Sequence, residues 1–317
     1  MPDSLGPKAK SPLFGQITII GLGLIGSSLA RAAVQQNLAA KVIGYDSSAS
    51  VRTRAVELNF ATDIASDMAN AVRDADLIIL CTPVGANGDI AAAMAPHLKT
   101  GSIISDVGSV KASVVASVMP HLPQGVHFVP AHPVAGTEYS GPDAGFATLF
   151  NKRWCIVTPL PNSDAEAVSK VTRFWQACGS NVELMTPHHH DQVLAITSHI
   201  PHLIAYNIVG TAAHMEAVTQ SEVIKFSAGG FRDFTRIAAS DPTMWRDVFL
   251  NNKEAVLEML GRFTEDLTAL QRMIRYGDGD GLFELFTRTR EIRRNIIAVG
   301  QETAAPDFGR RQDNAEG

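Results

Sequence analysis

The chain has 317 residues, of which 45% are hydrophobic and 19% charged, so it is long enough to bury two hydrophobic cores. Its formal net charge of -5 and the lack of any run of five or more Lys or Arg predict that it does not bind nucleic acid. The three cysteines form no C-x-x-C pair, which favours reduced thiols in a cytoplasmic protein over a disulfide framework or a zinc site.

Short β-rich runs alternate with helical patterns up to about residue 186, which is typical of a parallel α/β sheet. The predicted strands are Ile17–Ile20, Lys41–Tyr45, Leu77–Cys81, Ile103–Ser105, His127–Val129, Trp154–Val157 and Val182–Met185. Helices are predicted over Leu24–Gln36 and Val168–Ala177. We therefore predict an α/β fold with a Rossmann-type, mainly parallel sheet.

From His189 to about Val299 the pattern is helical and the β signal disappears. Long apolar stripes run along the predicted helices, for example Val256, Leu257, Leu260, Phe263, Leu267 and Leu270. Because a small helical domain cannot cover this much apolar surface by itself, we predict an all-α domain that forms a homodimer.

These patterns predict four regions. Residues 1–14 are expected to form a disordered leader, 15–186 the Rossmann-type domain, 187–300 the all-α substrate and dimerisation domain, and 301–317 a disordered tail. No unbroken apolar run reaches the roughly 18 residues of a membrane span, so no membrane partner is predicted.

A glycine-rich motif directly follows the first predicted strand and opens the first predicted helix. It reads Gly21, Leu22, Gly23, Leu24, Ile25 and Gly26. In this context the G-x-G-x-x-G pattern predicts a dinucleotide-binding turn: Gly21 permits the tight turn, Gly23 lets the backbone approach a pyrophosphate, and Gly26 packs helix on strand. The helix N-terminus then attracts the phosphate charge.

The second and central predicted strands add to this cofactor site. Asp46 ends the second strand, where a carboxylate accepts ribose hydroxyls and repels a 2′-phosphate. NAD is therefore the predicted cofactor and NADP the less favoured one, with Arg52 and Arg54 close enough in sequence to soften the preference. Thr82 and Pro83 close the central strand and are predicted to lie against the cofactor.

Two polar residues are candidates for the chemistry. Pro133 forces an extended backbone on His132, and Gly136 is predicted to allow a turn, so the imidazole is expected to be presented by a shaped loop. Ser109 follows the strand Ile103–Ser105 at the carboxyl edge of the sheet and is expected to face the same crevice. No G-x-S-x-G elbow surrounds Ser109, so we predict that it binds substrate or orients the imidazole, not that it is an acyl-transfer nucleophile.

The helical half carries two further candidates. His199 and His202 lie on one helical face or around a proline kink, and His202 is the better candidate to contact a ligand. No H-E-x-x-H motif or carboxylate partner accompanies them, so no metal is predicted. The triplet His188–His190 is predicted to begin the helix in solvent.

Three arginines, Arg232, Arg236 and Arg246, alternate with aromatic residues in the segment 231–247. Guanidinium groups beside apolar surface suit bidentate capture of a carboxylate. The segment is therefore predicted to form an anion-binding edge of the crevice.

The ordered motifs resemble the prephenate/arogenate (cyclohexadienyl) dehydrogenase family of tyrosine biosynthesis over residues 16–299. The resemblance is carried by G-L-G-L-I-G, S-D-V-G-S-V-K, A-H-P-V-A-G-T-E, S-H-I-P-H and F-R-D-F-T-R-I-A-A-S-D-P-T-M-W-R-D. It implies NAD-dependent oxidative decarboxylation of prephenate to 4-hydroxyphenylpyruvate. The alternative is an arogenate or dual-specificity enzyme that gives tyrosine directly from arogenate.

The resemblance also implies roles for individual residues. His132 would accept the proton of the ring hydroxyl, which suits a neutral imidazole with the ordinary pKa of about 6.5, and Ser109 would assist. Arg236 would hold a substrate carboxylate and His202 would orient the substrate. The residues that would shape the site, some from the partner subunit, are Thr137, Glu138, Asp233, Trp245 and Arg246.

Three alternatives remain open on the sequence. A carboxylate near the substrate side chain would favour arogenate, and the candidates are Glu138, Asp191 and Asp233. A different hydroxyacid dehydrogenase would need a lysine base, for which Lys225 is the residue to check. A catalytically silent NAD sensor would need none of the predicted catalytic residues.

Overall fold

The computed structural model describes residues 11–137, 139–219 and 229–298. Residues 1–10 of the predicted leader, Glu138, Lys225 and the predicted tail lie outside the described residues. The chain divides into two compact units, one ending at Leu257 and the other beginning at Glu258.

The first unit is built on a six-stranded parallel sheet. Its strands are β1 Phe14–Ile20, β2 Ala39–Tyr45, β3 Asp63–Ile64, β4 Leu77–Leu80, β5 Ile103–Asp106 and β6 His127–Phe128. The order across the sheet is β3-β2-β1-β4-β5-β6, so the strand order reverses between β1 and β4. Ligands bind at such a switch point in open α/β sheets, and the order confirms the predicted Rossmann-type fold.

Three further strands form a separate sheet. These are β7 Ala131–Pro133, β8 Trp154–Val157 and β9 Asn181–Leu184, with β7 antiparallel and β9 parallel to β8. Strands β8 and β9 were predicted as strands of the main sheet, whereas β7 and the separate sheet were not predicted. The backbone N–H of Val129 still donates to Ile104 of the main sheet at 2.9 Å, but Pro130 has no N–H to continue the ladder. The chain therefore leaves the first sheet at Pro130.

Among the described residues, ten helices lie entirely within the first unit. They are α1 Leu24–Gln35, α2 Ala49–Leu58, α3 Met68–Val72, α4 Asn87–Met94, α5 Ala112–Val118, α6 Ala165–Ala177, α7 Pro187–Leu194, α8 Ile200–Thr219, α9 Gly229–Thr235 and α10 Pro242–Asn251. Helix α6 illustrates why helices could be predicted from the sequence. Asp164 caps its N-terminus, and the side chains of Val171, Phe174 and Trp175 on one face are fully buried.

Helices α7 and α8 are joined by a π-helical turn at Ala195–His199. Pro201 has no N–H to donate to the preceding turn, which accounts for the wider turn before it. The run Pro187–His214 is long and apolar enough, by length and composition alone, to cross a membrane. Its residues His190 and Asp191 are buried and bonded to other elements of the unit.

The second unit contains the greater part of α11, which spans Lys253–Tyr276, and α12, which spans Gly279–Ala298. Several large apolar side chains on these helices are exposed in the single chain: Leu267 47%, Ile274 67%, Phe283 73%, Phe286 57% and Ile292 54%. The predicted excess of apolar surface is therefore present on this unit.

Candidate active site

The turn between β1 and α1 requires glycine at two positions. Gly21 has φ of +92°, and a Cβ there would lie 2.5 Å from the carbonyl oxygen of Cys81 on the neighbouring strand. A Cβ on Gly26 would clash with the carbonyl oxygen of Gly21. Any other residue would push α1 away from the sheet.

The N-terminus of α1 is open to an anion. Gly23 precedes the helix, no side chain caps it, and a Cβ added there meets nothing within 4 Å. Leu24 and Ile25 are the first helical residues, so their N–H groups have no partner within the helix. This combination of free N–H groups, open space and helix dipole fits a pyrophosphate.

Asp46 follows β2 and is fixed by the backbone on both oxygens. Its Oδ2 accepts from Leu22 N at 2.9 Å and its Oδ1 accepts from Ser48 N at 2.9 Å. The two arginines predicted to soften the cofactor preference are both bonded: Arg52 donates to the Asp46 carbonyl at 2.7 Å, and Arg54 pairs with Asp143. The Asp46 carboxylate therefore places a fixed negative charge beside the glycine turn.

Thr82 and Pro83 follow β4 at the same edge of the sheet as the glycine turn and Asp46. Thr82 Oγ1 lies 2.8 Å from Asn87 Oδ1, and its methyl group lies close to Gly21. Pro83 precedes a short 3₁₀ turn at Val84–Ala86. The glycine turn, Asp46 and the end of β4 together form a cradle that fits a dinucleotide.

A buried ion pair connects the end of β5 to β7. Lys111 Nζ pairs with Asp106 Oδ2 at 2.5 Å and donates to the carbonyl of Ala131 at 2.7 Å, and both charged side chains are fully buried. Gly108 N donates to the same Asp106 oxygen at 2.8 Å. The residue immediately before His132 is thus fixed by a charge-assisted contact.

His132 lies in β7, paired with Ile156, and only 8% of it is exposed. The predicted extended backbone is present, but it belongs to a short strand and not to a loop. Burial, reinforced by the neighbouring His190, Lys111 and His199, holds the pKa of His132 well below its ordinary value. A Cβ on Gly136 meets nothing within 4 Å, so the structure gives no steric reason for glycine there.

The prediction that the histidine triplet lies in solvent is wrong for one member. His188 and His189 are exposed, but His190 is fully buried, with its Nε2 2.9 Å from Nδ1 of His132. Leu194, four residues further along α7, is buried as well, so the two define an inward face. This i,i+4 pair is the sequence signal that identifies His190.

Ser109 lies half-buried in the loop between β5 and α5, with its backbone against His199. Burial lowers the pKa of His199 to about 4, while the Ser109 backbone opposes the shift. Asn252 Nδ2 is 3.1 Å from Nδ1 of His199 and donates to the main-chain carbonyl of Asp191 at 2.9 Å. His199 thereby lies between Ser109 and the end of α10.

Trp245 connects the two histidines of the helical half. Its ring stacks on His202, with centroids 3.6 Å apart and planes 23° apart, and meets His199 edge-on at 6.1 Å. His202 Nδ1 donates to the Ser198 carbonyl at 2.8 Å, which leaves Nε2 as the acceptor of the neutral ring. Burial lowers the pKa of His202, and the charge of Arg236 lowers it further, which places Arg236 near this ring.

The remaining predicted residues are less closely connected to His132. Thr137 is half-buried, and its Oγ1 accepts from Tyr139 N at 3.3 Å. Asp233 is exposed beside Arg232, and Arg246 is exposed and pairs with Asp247 at 2.7 Å. Among the described residues, His132, Ser109 and Trp245 therefore lie around His199, and Trp245 connects this group to His202, with Arg236 near that ring. The hydrogen bonds and ion pairs of Thr137, Asp233 and Arg246 given above do not connect them to this cluster.

The chemistry of the cluster follows from its residues. Neutral, buried imidazoles accept protons from hydroxyl groups, and a guanidinium binds carboxylate. Within the described ranges, no group of three or more His, Cys, Asp or Glu side chains is arranged to hold a metal ion. The site suits a small hydroxy acid next to a dinucleotide.

Comparison with known proteins shows which family models match this chain. A family model described as the nucleotide-binding domain of prephenate dehydrogenase matches residues 29–184, and one described as its dimerization domain matches residues 186–288. The chain is 46% identical to a cyclohexadienyl dehydrogenase of Zymomonas mobilis, covering 89% of this chain and 96% of the relative.

Two solved structures are also similar. Prephenate dehydrogenase from A. aeolicus, in complex with hydroxyphenyl propionate and NAD+, has a TM-score of 0.84 and 32% identity, covering 93% of this chain and 100% of that one. Arogenate dehydrogenase from Synechocystis has a TM-score of 0.75 and 27% identity, covering 89% and 99%.

Proposed function

The chain belongs to the prephenate dehydrogenase family, and we propose that it catalyses the NAD-dependent oxidative decarboxylation of prephenate to 4-hydroxyphenylpyruvate in tyrosine biosynthesis. The observation that carries this proposal is the buried, neutral His132 on the strand that Lys111 connects to the carboxyl end of β5. Membership in the family displaces the silent sensor and the hydroxyacid dehydrogenase with a lysine base.

The proposed reaction moves two hydrogens and one carbon dioxide. When bound, NAD supplies an acceptor for the hydride that leaves the hydroxyl-bearing ring carbon. His132 Nε2 accepts the hydroxyl proton, so that the O–H bond breaks as the N–H bond forms. The bond to the ring carboxylate then breaks, carbon dioxide leaves, and its electron pair makes the ring aromatic. The phenolic oxygen finally takes its proton back from His132.

We propose roles for the other residues of the cluster around His199 and His202. Ser109 assists the hydroxyl contact, Arg236 binds a substrate carboxylate and His202 presents Nε2 as an acceptor. Trp245 fixes the plane of His202 by stacking on it at 3.6 Å. Thr137, Glu138, Asp233 and Arg246 remain proposed contributors, some of them in the partner subunit's site.

Arogenate is the second candidate substrate, because one relative is named a cyclohexadienyl dehydrogenase and one similar structure an arogenate dehydrogenase. Arogenate carries a side-chain amino group, which a free carboxylate would favour. Asp191 is committed elsewhere, since its oxygens accept from Lys111 N and Ala112 N. This engagement supports prephenate as the preferred substrate.

The test is NADH formation with purified protein and prephenate or arogenate, each with NAD and with NADP. Turnover with prephenate and NAD at the highest kcat/KM supports the proposal. A higher kcat/KM with arogenate would reassign the substrate, and no turnover with either would overturn the proposed activity.

Removing the charge of Asp46 is expected to weaken the preference for NAD. In Asp46→Asn the side chain keeps its size, but the repulsion of a 2′-phosphate is lost, so kcat/KM for NADP relative to NAD should rise about tenfold, roughly 1.4 kcal/mol. Kinetics with both cofactors measure this ratio. Asp63→Asn, on the exposed end of β3, is the control, and an equal ratio in both variants would contradict the role of Asp46.

We also propose that the enzyme is a homodimer formed through α11 and α12, in keeping with the dimerization-domain match over residues 186–288. Phe283 and Phe286 are 73% and 57% exposed in the single chain, and a partner would bury them. Phe283→Glu/Phe286→Glu should shift the mass measured by light scattering from two chains towards one. Val56→Ser, an exposed apolar residue on α2, should leave the mass unchanged; a monomeric wild type would refute the dimer.

The predicted domain boundary between residues 186 and 187 is kept as a proposal, supported by the first family match ending at 184 and the second beginning at 186. A cytoplasmic location is likewise proposed, supported by cysteines that are all free.

A further inference from the structure

Three side chains form a line of hydrogen bonds ending at His132. Nδ1 of His132 is 2.9 Å from Nε2 of His190, and Nδ1 of His190 is 2.8 Å from Oδ1 of Asp191. His190 is fully buried and Asp191 is 4% exposed, so the bonds are shielded from water. The two imidazole rings meet edge-on at 5.1 Å, which leaves little freedom for either to rotate.

The direction of each bond follows from the far end of this line. Oδ1 of Asp191 accepts from Lys111 N at 2.8 Å and Oδ2 accepts from Ala112 N at 2.9 Å, both at the start of α5. A carboxylate that receives N–H groups on both oxygens is an acceptor for the imidazole as well. Nδ1 of His190 therefore carries a proton and donates it to Asp191.

The protonation of His132 then follows step by step. Burial is the largest of the effects that lower the pKa of His190, so this ring is neutral with a lone pair on Nε2. That lone pair accepts from Nδ1 of His132, which must carry the proton of its own neutral ring. Nε2 of His132 is left with its lone pair free.

We propose that His190 and Asp191 are positioning residues that hold His132 in the tautomer with a free Nε2 lone pair, ready to accept the substrate hydroxyl proton. The proposal rests on the proposed function, because the proton belongs to prephenate. When the O–H bond breaks and the Nε2–H bond forms, the positive charge of His132 is stabilised through the Nδ1–H bond to His190, with the Asp191 carboxylate behind it. The charge of Lys111 opposes this step, and a charge on His190 or His199 would oppose it as well.

Nuclear magnetic resonance of protein carrying isotope-labelled histidine tests the tautomer without any substrate. The nitrogen shifts distinguish a protonated from an unprotonated ring nitrogen, and the His132 signals are assigned by their loss in His132→Asn. We expect a proton on Nδ1 of His132 in the wild type and a population with the proton on Nε2 in His190→Leu. A wild-type His132 with its proton on Nε2, or an unchanged tautomer in His190→Leu, would overturn the proposal.

Kinetics with two variants at the same position give the second test. His190→Leu removes the acceptor, so kcat should fall about 10- to 100-fold with a smaller change in KM. His190→Gln places an amide oxygen near the former Nε2 and should recover part of that loss, which a purely structural role would not predict. Equal kcat for both variants, each folded by circular dichroism, would contradict the positioning role.

The two proposals fail separately. A wild type without turnover on prephenate would overturn the proposed function, while the tautomer measured in the same protein would stand. Turnover on prephenate combined with the wrong tautomer of His132 would overturn only the inference about His190 and Asp191.

Discussion

Replacing His132 by Asn is expected to lower kcat with prephenate by about 10²- to 10⁴-fold, which is the usual contribution of a positioned general base. His132 is buried and neutral, and the proposed reaction assigns the hydroxyl proton to its Nε2 and to no other residue. Steady-state kinetics measure the loss, and isothermal titration calorimetry should show NAD binding close to that of the wild type.

The matched control for this variant is His189→Asn, which changes an exposed histidine on α7 next to the buried His190. Its kcat should remain within about twofold of the wild type, since exposed positions tolerate substitution. A His132→Asn enzyme with near wild-type turnover would remove His132 from the mechanism.

The pH dependence of kcat/KM belongs to the same expectation. The neutral imidazole is the active form, so activity is present above the pKa of His132 and is lost as the pH falls through it. Because burial holds this pKa well below the ordinary value of 6.5, the rate should stay level down to pH 6.5 and decline only below it. A decline centred at or above 6.5 would show that another group, or an imidazole open to water, limits the rate.

The features that could be predicted from the sequence are those determined by residues close together in the chain. The glycine turn was predictable because Gly21 and Gly26 allow close contacts among β1, α1 and the end of β4. The G-x-G-x-x-G pattern that reveals these glycines lies within one short segment of the chain. Strand β4 was predictable because all four of its residues are buried, which demands an unbroken apolar run.

The parts that were missed depend on partners distant in sequence. His190 is bonded to a residue 58 positions away, and the one local sign that it faces inward is its spacing of four residues from the apolar Leu194. The second sheet was missed because β7 has only three residues, too few to show alternation. Lys111 belongs to the motif S-D-V-G-S-V-K, but only the fold shows that its charge is fully buried against Asp106.

Lys111→Met is expected to be the most destabilising single change at the site. It leaves the Asp106 carboxylate buried without its charged partner, which typically costs about 3–5 kcal/mol. The unfolding midpoint should therefore fall by roughly 6–20 °C. The variant also releases the carbonyl of Ala131, so kcat should drop in the fraction that remains folded, because β7 positions His132.

A control for charge removal alone comes from Lys99, which pairs with Asp76 at 2.5 Å with both side chains more than a third exposed. Lys99→Met should cost about 1 kcal/mol or less, because water replaces an exposed partner. Scanning calorimetry of both variants at one protein concentration compares the two pairs. A Lys111→Met midpoint no lower than that of Lys99→Met would mean that Asp106 finds water or a proton in place of the cation, and that β7 does not depend on this ion pair.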